Sequence, residues 1–336
     1  MEWITYIPEL LLAALTAHGI ALGPAQPPAG PGGQAYPHAE VRMVDRADDP
    51  GGYWWFEPRE PAPDTARLIV FLHGYGNYNP MIYGGWIRHL VQRGHVVLFP
   101  RYQRSLFFPF PARFVSHAAA AFRRARSEVP AFSGITWDTS GLVVIGHSYG
   151  GVVAANLAVR CEVLGLPRPA GLLLAMPGSG IFPGGRLKSY KGLHPQTFLL
   201  AVTGARDGLV GERFARKVVE TAPRTERTAL LELHPDGHGH PALMADHVEA
   251  YAPDEAFDSG DARCSSRRAS RKGECDAFDY FGLWKWTDQL LDCTAAGAPC
   301  PLFSDLPRQV SLSRWSDGQP MRPVEIEIHP NRVSIP

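Results

Sequence analysis

Four short runs of nearly unbroken apolar residues, "RLIVFLHG", "HVVLFPR", "GLVVIGHS" and "GLLLAMPG", follow one another between residues 67 and 178. A strand with one wet face alternates with period two, whereas a continuous apolar run suits a strand covered on both faces. The runs therefore predict a parallel sheet between two layers of helices. Helical periodicity fills the gaps, in "YGGWIRHLVQRG", "PARFVSHAAAAFRRARSEV" and "YGGVVAANLAVRCEVLG". Two further strands, "TFLLAVTG" and "TALLELHP", flank the helix "VGERFARKVVETA", and "FDYFGLWKWTDQLLDC" reads as a last amphipathic helix. Ahead of the first run, "EVRMVDR" and "GGYWWFEP" read as an antiparallel pair joined through "ADDPGG". Strand and helix alternate throughout, which predicts an α/β fold with a doubly wound, mostly parallel sheet and right-handed crossovers.

Some segments fall outside this alternation and divide the chain. Residues 1–35 combine the apolar "IPELLLAALTAHGIALG" with "PAQPPAGPGG", a pattern of a leader or docked helix followed by a flexible proline-rich spacer. The apolar stretch is broken by Pro8 and His18, so no uninterrupted membrane-spanning run of about 20 residues is expected. Residues 36–293 form the α/β domain, with a charged insertion at 252–277 containing "SSRRASRKGE" that reads as a solvated loop. Residues 294–336 read as an extended tail packed on the surface.

Cys264, Cys275, Cys293 and Cys300 crowd the last quarter, as two disulfides would, and pairing of near neighbours is expected: Cys264 with Cys275, Cys293 with Cys300. Together with the leader pattern they argue for export, to the cell envelope or beyond, against a cytoplasmic alternative. The 33 basic and 33 acidic residues balance, so nothing in the charge suggests a nucleic-acid partner. The oligomeric state is not written in the sequence.

The chemistry concentrates in "VVIGHSYGG". Gly146-His147-Ser148-Tyr149-Gly150 is G-x-S-x-G at the junction of a predicted strand and helix, the context of a nucleophile elbow. A turn that tight excludes side chains two residues either side of the serine, hence Gly146 and Gly150. It also lifts the serine hydroxyl to the carboxyl edge of the sheet and aims a helix N-terminus at a developing oxyanion. Asp207 follows the next strand but one, in "TGARDGLVG", where it could orient an imidazole. The segment after the last strand, "LELHPDGHGHPALMADH", holds His234, His238, His240 and His247 as candidates for that imidazole. His234, His238, His240 and Asp246 also admit a metal reading, but no open-site motif accompanies them and a metal would leave the serine turn unexplained. No metal or other cofactor is expected.

Through "FLHGYG", "GHSYGG", "TGARDGLVG" and "DGHGHP", over residues 60–292, the chain resembles α/β-hydrolase-fold serine esterases, among them the dienelactone hydrolase, chlorophyllase-like and polyester hydrolase branches. The resemblance implies a Ser148, Asp207, His238 triad. It prefers His238 because a loop histidine followed by glycine is the family's habit; His240 and His234 rank next, and His247 last. It further implies an oxyanion hole from the backbone N–H groups of Tyr75 and Tyr149, with His73 orienting the loop. The expected reaction is hydrolysis of a small-molecule or lipid-like ester through an acyl-enzyme. An amidase or peptidase on the same fold and a non-catalytic binding protein are the alternatives. Trp86, Phe107, Phe108, Phe110, Met176 and Ile181 would suit an apolar acyl or aryl group at the mouth of such a site.

Overall fold

A computed structural model describes residues 19–180, 185–260, 272–295, 300–328 and 331–333. The apolar runs form β3 (Thr65–Leu72), β4 (Val96–Arg101), β5 (Thr136–His147), β6 (Gly171–Ala175), β7 (Phe198–Gly204) and β8 (Thr228–Leu233). These six are parallel neighbours in the order β4-β3-β5-β6-β7-β8. β1 (Glu40–Arg46) and β2 (Gly52–Arg59) form the antiparallel pair at one side, joined to the rest through β2 and β4. At the other side β9 (Glu325–Ile328) and β10 (Asn331–Val333) continue the sheet antiparallel, making ten strands among the described residues.

Among the described residues, five longer helices cover the two faces. α1 (Gly84–Gln92) and α5 (Trp284–Cys293) pack on one side, where Trp86, Trp286 and Leu290 meet Ile69, Val143 and Ile145. α2 (Phe114–Glu128), α3 (Tyr149–Leu164) and α4 (Arg213–Thr221) cover the other, where Phe122, Val152 and Phe214 belong to the core of Leu68, Val144 and Leu172. Alternate residues of the second half of β5 thus enter opposite cores, Leu142 and Val144 one and Val143 and Ile145 the other, which is why that half carries no polar face. α3 runs behind the middle of the sheet, and its first ten residues are all buried.

β3 lies between β4 and β5, so the chain leaves β3 in one direction, returns across it, and then proceeds the other way. The carboxyl ends of β3 and β5 therefore mark the switch point of the strand order, the place where open α/β sheets hold their ligands.

Three expectations are corrected. The proline-rich stretch after residue 18 is not a free spacer; residues 1–18 lie outside the description. The N–H of Gly32 donates to Asp288 Oδ2 at 2.7 Å, and that buried carboxylate is also held by His89 and Arg93. Farther up, the backbone of residues 21–23 pairs with His240. The 252–277 insertion is not uniformly solvated: Ala252 and Asp254 bond the backbone at Ile82 and Met81, Phe257 is buried, and Arg88 meets Asp254 at 2.6 Å. Nor is the whole of the tail extended over the surface. It forms two short helices, α6 (Pro301–Ser304) and α7 (Leu306–Gln309), buries Trp315, and supplies β9 to the sheet. The alternation of "VEIEI" could be read only with knowledge that β8 has an open edge to receive it.

A disulfide joins Cys293 to Cys300 and ties α5 to the tail. Cys264 lies outside the described residues, and Cys275 carries a free thiol rather than a bond among them. No helix of the described residues is long and apolar enough to cross a membrane.

Candidate active site

β5 ends in a reversal so tight that Ser148 takes φ +55°, a conformation that L-residues rarely adopt. Its backbone is tied on both sides: Ser148 N–H donates to Ala175 O at 3.0 Å, and its carbonyl accepts from Gly151 and Gly178 at 2.9 and 3.0 Å. The glycines explain the closeness. A Cβ on Gly146 would stand 2.4 Å from Gly150 O, one on Gly150 2.0 Å from Leu72 O, and one on Gly151 2.5 Å from Pro177 Cβ. Gly150 therefore sets the approach of α3 to β3, and Gly151 its approach to the turn after β6.

Ser148 Oγ lies 2.9 Å from His247 Nε2, and His247 Nδ1 lies 2.8 Å from Asp207 Oδ2. All three residues are buried. Asp207 stands in the turn leaving β7. Burial pushes its carboxyl up, but the hydrogen bond and charge of His247 and the N–H groups of Val210 and Leu209 outweigh this and hold it below the usual carboxylate value. Its other oxygen is occupied by those two backbone donors at 3.0 and 2.9 Å, so the side chain has a single orientation toward the imidazole.

The histidine in this position is not His238. Beyond β8 the chain folds back on itself, with Asp236 and Leu243 exchanging backbone hydrogen bonds at 2.9 Å, and His238 and His240 ride on the outward tip of that hairpin. There His238 Nε2 bonds Asp317 Oδ2 of the tail at 2.7 Å in an exposed pair. The returning strand passes over the end of β7, where a Cβ on Gly204 would stand 2.3 Å from Ala245 O, and this contact delivers His247 between Asp207 and Ser148. The turn-forming "PDG" at 235–237 is the one local signal of the fold-back. Nothing local marks His247.

A buried chain of hydrogen bonds links the site to the loop after β3. Gly74 N–H donates to Tyr83 Oη at 2.8 Å; the Tyr83 hydroxyl donates to His147 Nδ1 at 2.9 Å; His147 Nε2–H donates to the His247 carbonyl at 2.9 Å. Burial pushes the His147 imidazole down to about 3, so it stays neutral and serves as a fixed bridge between the two loops. His73 is likewise neutral, pushed down to about 3 by burial, and its ring stacks on Tyr102 at 4.0 Å. Its Nδ1 bonds the carbonyl of Gly74 at 2.7 Å, so the side chain braces the loop. Tyr75 follows on that loop and Tyr149 is the first residue of α3; their rings lie 6.4 Å apart.

The pocket residues anticipated from sequence scatter. Trp86 is wholly buried in the core beneath α1, against Phe71. Met176 is wholly buried at the end of β6. Phe107, Phe108 and Phe110 project outward, with 85%, 69% and 57% of their surface exposed. Ile181 lies outside the described residues. The histidines of the metal reading do not converge either. Among the described residues, the group at metal-ligand spacing is Glu232, His234 and Glu325, whose ligand atoms lie within 4.8 Å of one another at the partly exposed pairing of β8 with β9.

No curated protein matches the chain. Residues 69–206, from β3 to the turn that carries Asp207, match the model of a family described as alpha/beta hydrolase fold, which indicates a hydrolase. With the strand order and the serine turn at the switch point, this protein has the α/β-hydrolase fold.

Proposed function

We propose that the protein is a serine hydrolase that cleaves carboxylic esters through a covalent acyl-enzyme. The observation that carries the reading is the continuous Asp207, His247, Ser148 hydrogen-bond relay at 2.8 and 2.9 Å, at the carboxyl edge of the sheet. Ser148 Oγ attacks the ester carbonyl carbon as His247 Nε2 takes its proton, and Asp207 stabilises the imidazolium that forms. The tetrahedral oxyanion develops toward the start of α3 and the loop after β3, where the backbone N–H groups of Tyr149 and Tyr75 serve as donors. Collapse breaks the bond to the alcohol oxygen, which leaves with the proton from His247. Water, deprotonated by the same imidazole, then releases the acid and regenerates Ser148.

The Cys293–Cys300 disulfide supports a working place outside the reducing cytosol.

The test is hydrolysis of p-nitrophenyl esters of increasing acyl length beside the matching anilides, for wild type and Ser148→Ala. Turnover of the esters well above the anilides is expected, falling by at least about 10⁴-fold in the variant. A variant that hydrolyses esters at the wild-type rate refutes the role of Ser148, and anilides turned over as fast as esters make the protein an amidase.

A further inference from the structure

The segment between β4 and α2, "YQRSLFFPFPAR", places three phenylalanines outside both cores, with the Arg113 guanidinium 5.9 Å from the centre of the Phe110 ring. Its base is anchored beside the proposed site: Tyr75 Oη donates to Leu106 O at 2.6 Å, and Gly76 N–H donates to Gln103 Oε1 at 2.7 Å. Leu106 itself lies over Gly76, where a Cβ would meet Leu106 Cδ2 at 2.4 Å. Its tip is held out rather than folded in. Pro109 and Pro111 stiffen it, Phe110 takes φ +47°, and Phe107, Phe108 and Phe110 stay 85%, 69% and 57% exposed. Burying such rings in the core costs nothing unusual, so three outward phenyls on one loop mark a surface that meets something apolar.

Charge narrows the partner. Arg104 and Arg113 flank the three rings, both exposed and neither with an acidic partner among the described residues. Residues 65–127, which include the whole segment, contain no Asp or Glu. Area narrows it further. The exposed phenyl surface is on the order of 400 Å², about half of the ~800 Å² per partner that a stable protein interface covers. A protruding apolar tip with a cationic collar suits insertion between lipid chains, with the arginines at the level of anionic headgroups.

We propose that the 104–113 loop docks the protein on an anionic lipid surface, with Phe107, Phe108 and Phe110 inserted and Arg104 and Arg113 facing the headgroups. Docking stands independently of the ester reading; what rests on that reading is its consequence, that the anchored loop holds Ser148 near esters dispersed in the lipid.

The experiment is co-sedimentation of the full chain with vesicles of phosphatidylcholine plus phosphatidylglycerol, and of phosphatidylcholine alone. Wild type and Ser148→Ala are expected to bind the anionic vesicles alike, more tightly than the neutral ones, with affinity falling as salt rises. The Phe107→Ser/Phe108→Ser variant is expected to bind at least about tenfold more weakly at an unchanged Tm. Arg104→Glu, which leaves the rings in place, is expected to lose the preference for anionic vesicles. Absence of wild-type binding, or a double variant that binds like wild type, overturns the proposal. So does concentration-dependent self-association of wild type that disappears in the double variant, which would make the patch an interface between copies. Because Ser148→Ala binds whether or not the protein is an esterase, a failure of docking and a failure of the esterase assignment are read separately.

Discussion

The turn at Ser148 and the loop that carries His247 contribute to one relay, yet different parts of the chain hold them in place. The serine turn is fixed by its immediate neighbours: three glycines within six residues, each excluded from bearing a Cβ by backbone or side-chain atoms at 2.0 to 2.5 Å. The histidine loop is fixed from a distance. Backbone at residues 21–23 pairs with His240, and Trp315 Nε1 and Arg322 N–H both donate to Asp236, at 3.1 and 2.9 Å. Gly239 lies against the Trp315 indole, where a Cβ would stand 2.2 Å from its ring. One half of the site is a local motif and the other is a product of tertiary closure.

The sharpest way to break this contrast is to exchange the histidines. His247→Ala is expected to lower ester turnover by at least about 10⁴-fold, whereas His238→Ala, which removes an exposed pair with Asp317 and a ring contact with Trp315, should change it by about twofold or less. Steady-state kinetics on one soluble ester decide this, and the opposite ranking would return the base to the hairpin tip. Next in size, Gly150→Ala drives a methyl group into the Leu72 carbonyl and should cost about 3 kcal/mol or more of stability in urea unfolding. A near-neutral result would mean that the close approach of α3 to β3 is not what the glycine serves.

The smallest effect concerns the distant clamp. Burial raises the Asp236 carboxyl, but the N–H groups of His238 and Arg322 and the Trp315 indole outweigh it and hold the group below its usual value. A carboxyl depressed on folding contributes stability that is complete above its unfolded value of about 3.9 and is lost as pH falls through the lower folded value. Asp236→Asn should therefore cost about 1 kcal/mol at neutral pH, and its unfolding midpoint should drop less than that of wild type on acidification below about pH 4. Parallel acid limbs in the two proteins would show that this carboxylate does not hold the clamp.

The same contrast explains what could be read before the fold was known. The strands from β3 to β8 were legible because burial on both faces leaves continuous apolar runs. Ser148 stood out because a strand-to-helix turn of that tightness demands glycines at fixed offsets, and Asp207 because it occupies the turn of a recognisable strand. His247 was not legible. The preference for His238 rested on a flanking glycine, but Gly237 and Gly239 serve a hairpin whose partners are dozens to hundreds of residues away. The proline-rich strap and the tail failed for the same reason. "PAQPPAGPGG" reads as unstructured until Asp288 is seen to accept the Gly32 N–H, and "VEIEI" finds its place only beside the open edge of β8. Trp86 and Met176 were apolar for the core, and sequence does not distinguish an apolar side chain that lines a mouth from one that supports it.

The clamp on the histidine loop also sets an order of events. A ribosome delivers the chain from its first residue onward, so the β3 edge, the serine turn and the Asp207 turn all emerge long before Trp315 and Arg322. The hairpin at 236–243 cannot acquire its contacts with those two residues until they have left the exit tunnel. The arm carrying the imidazole is therefore the last part of the relay to be secured during synthesis.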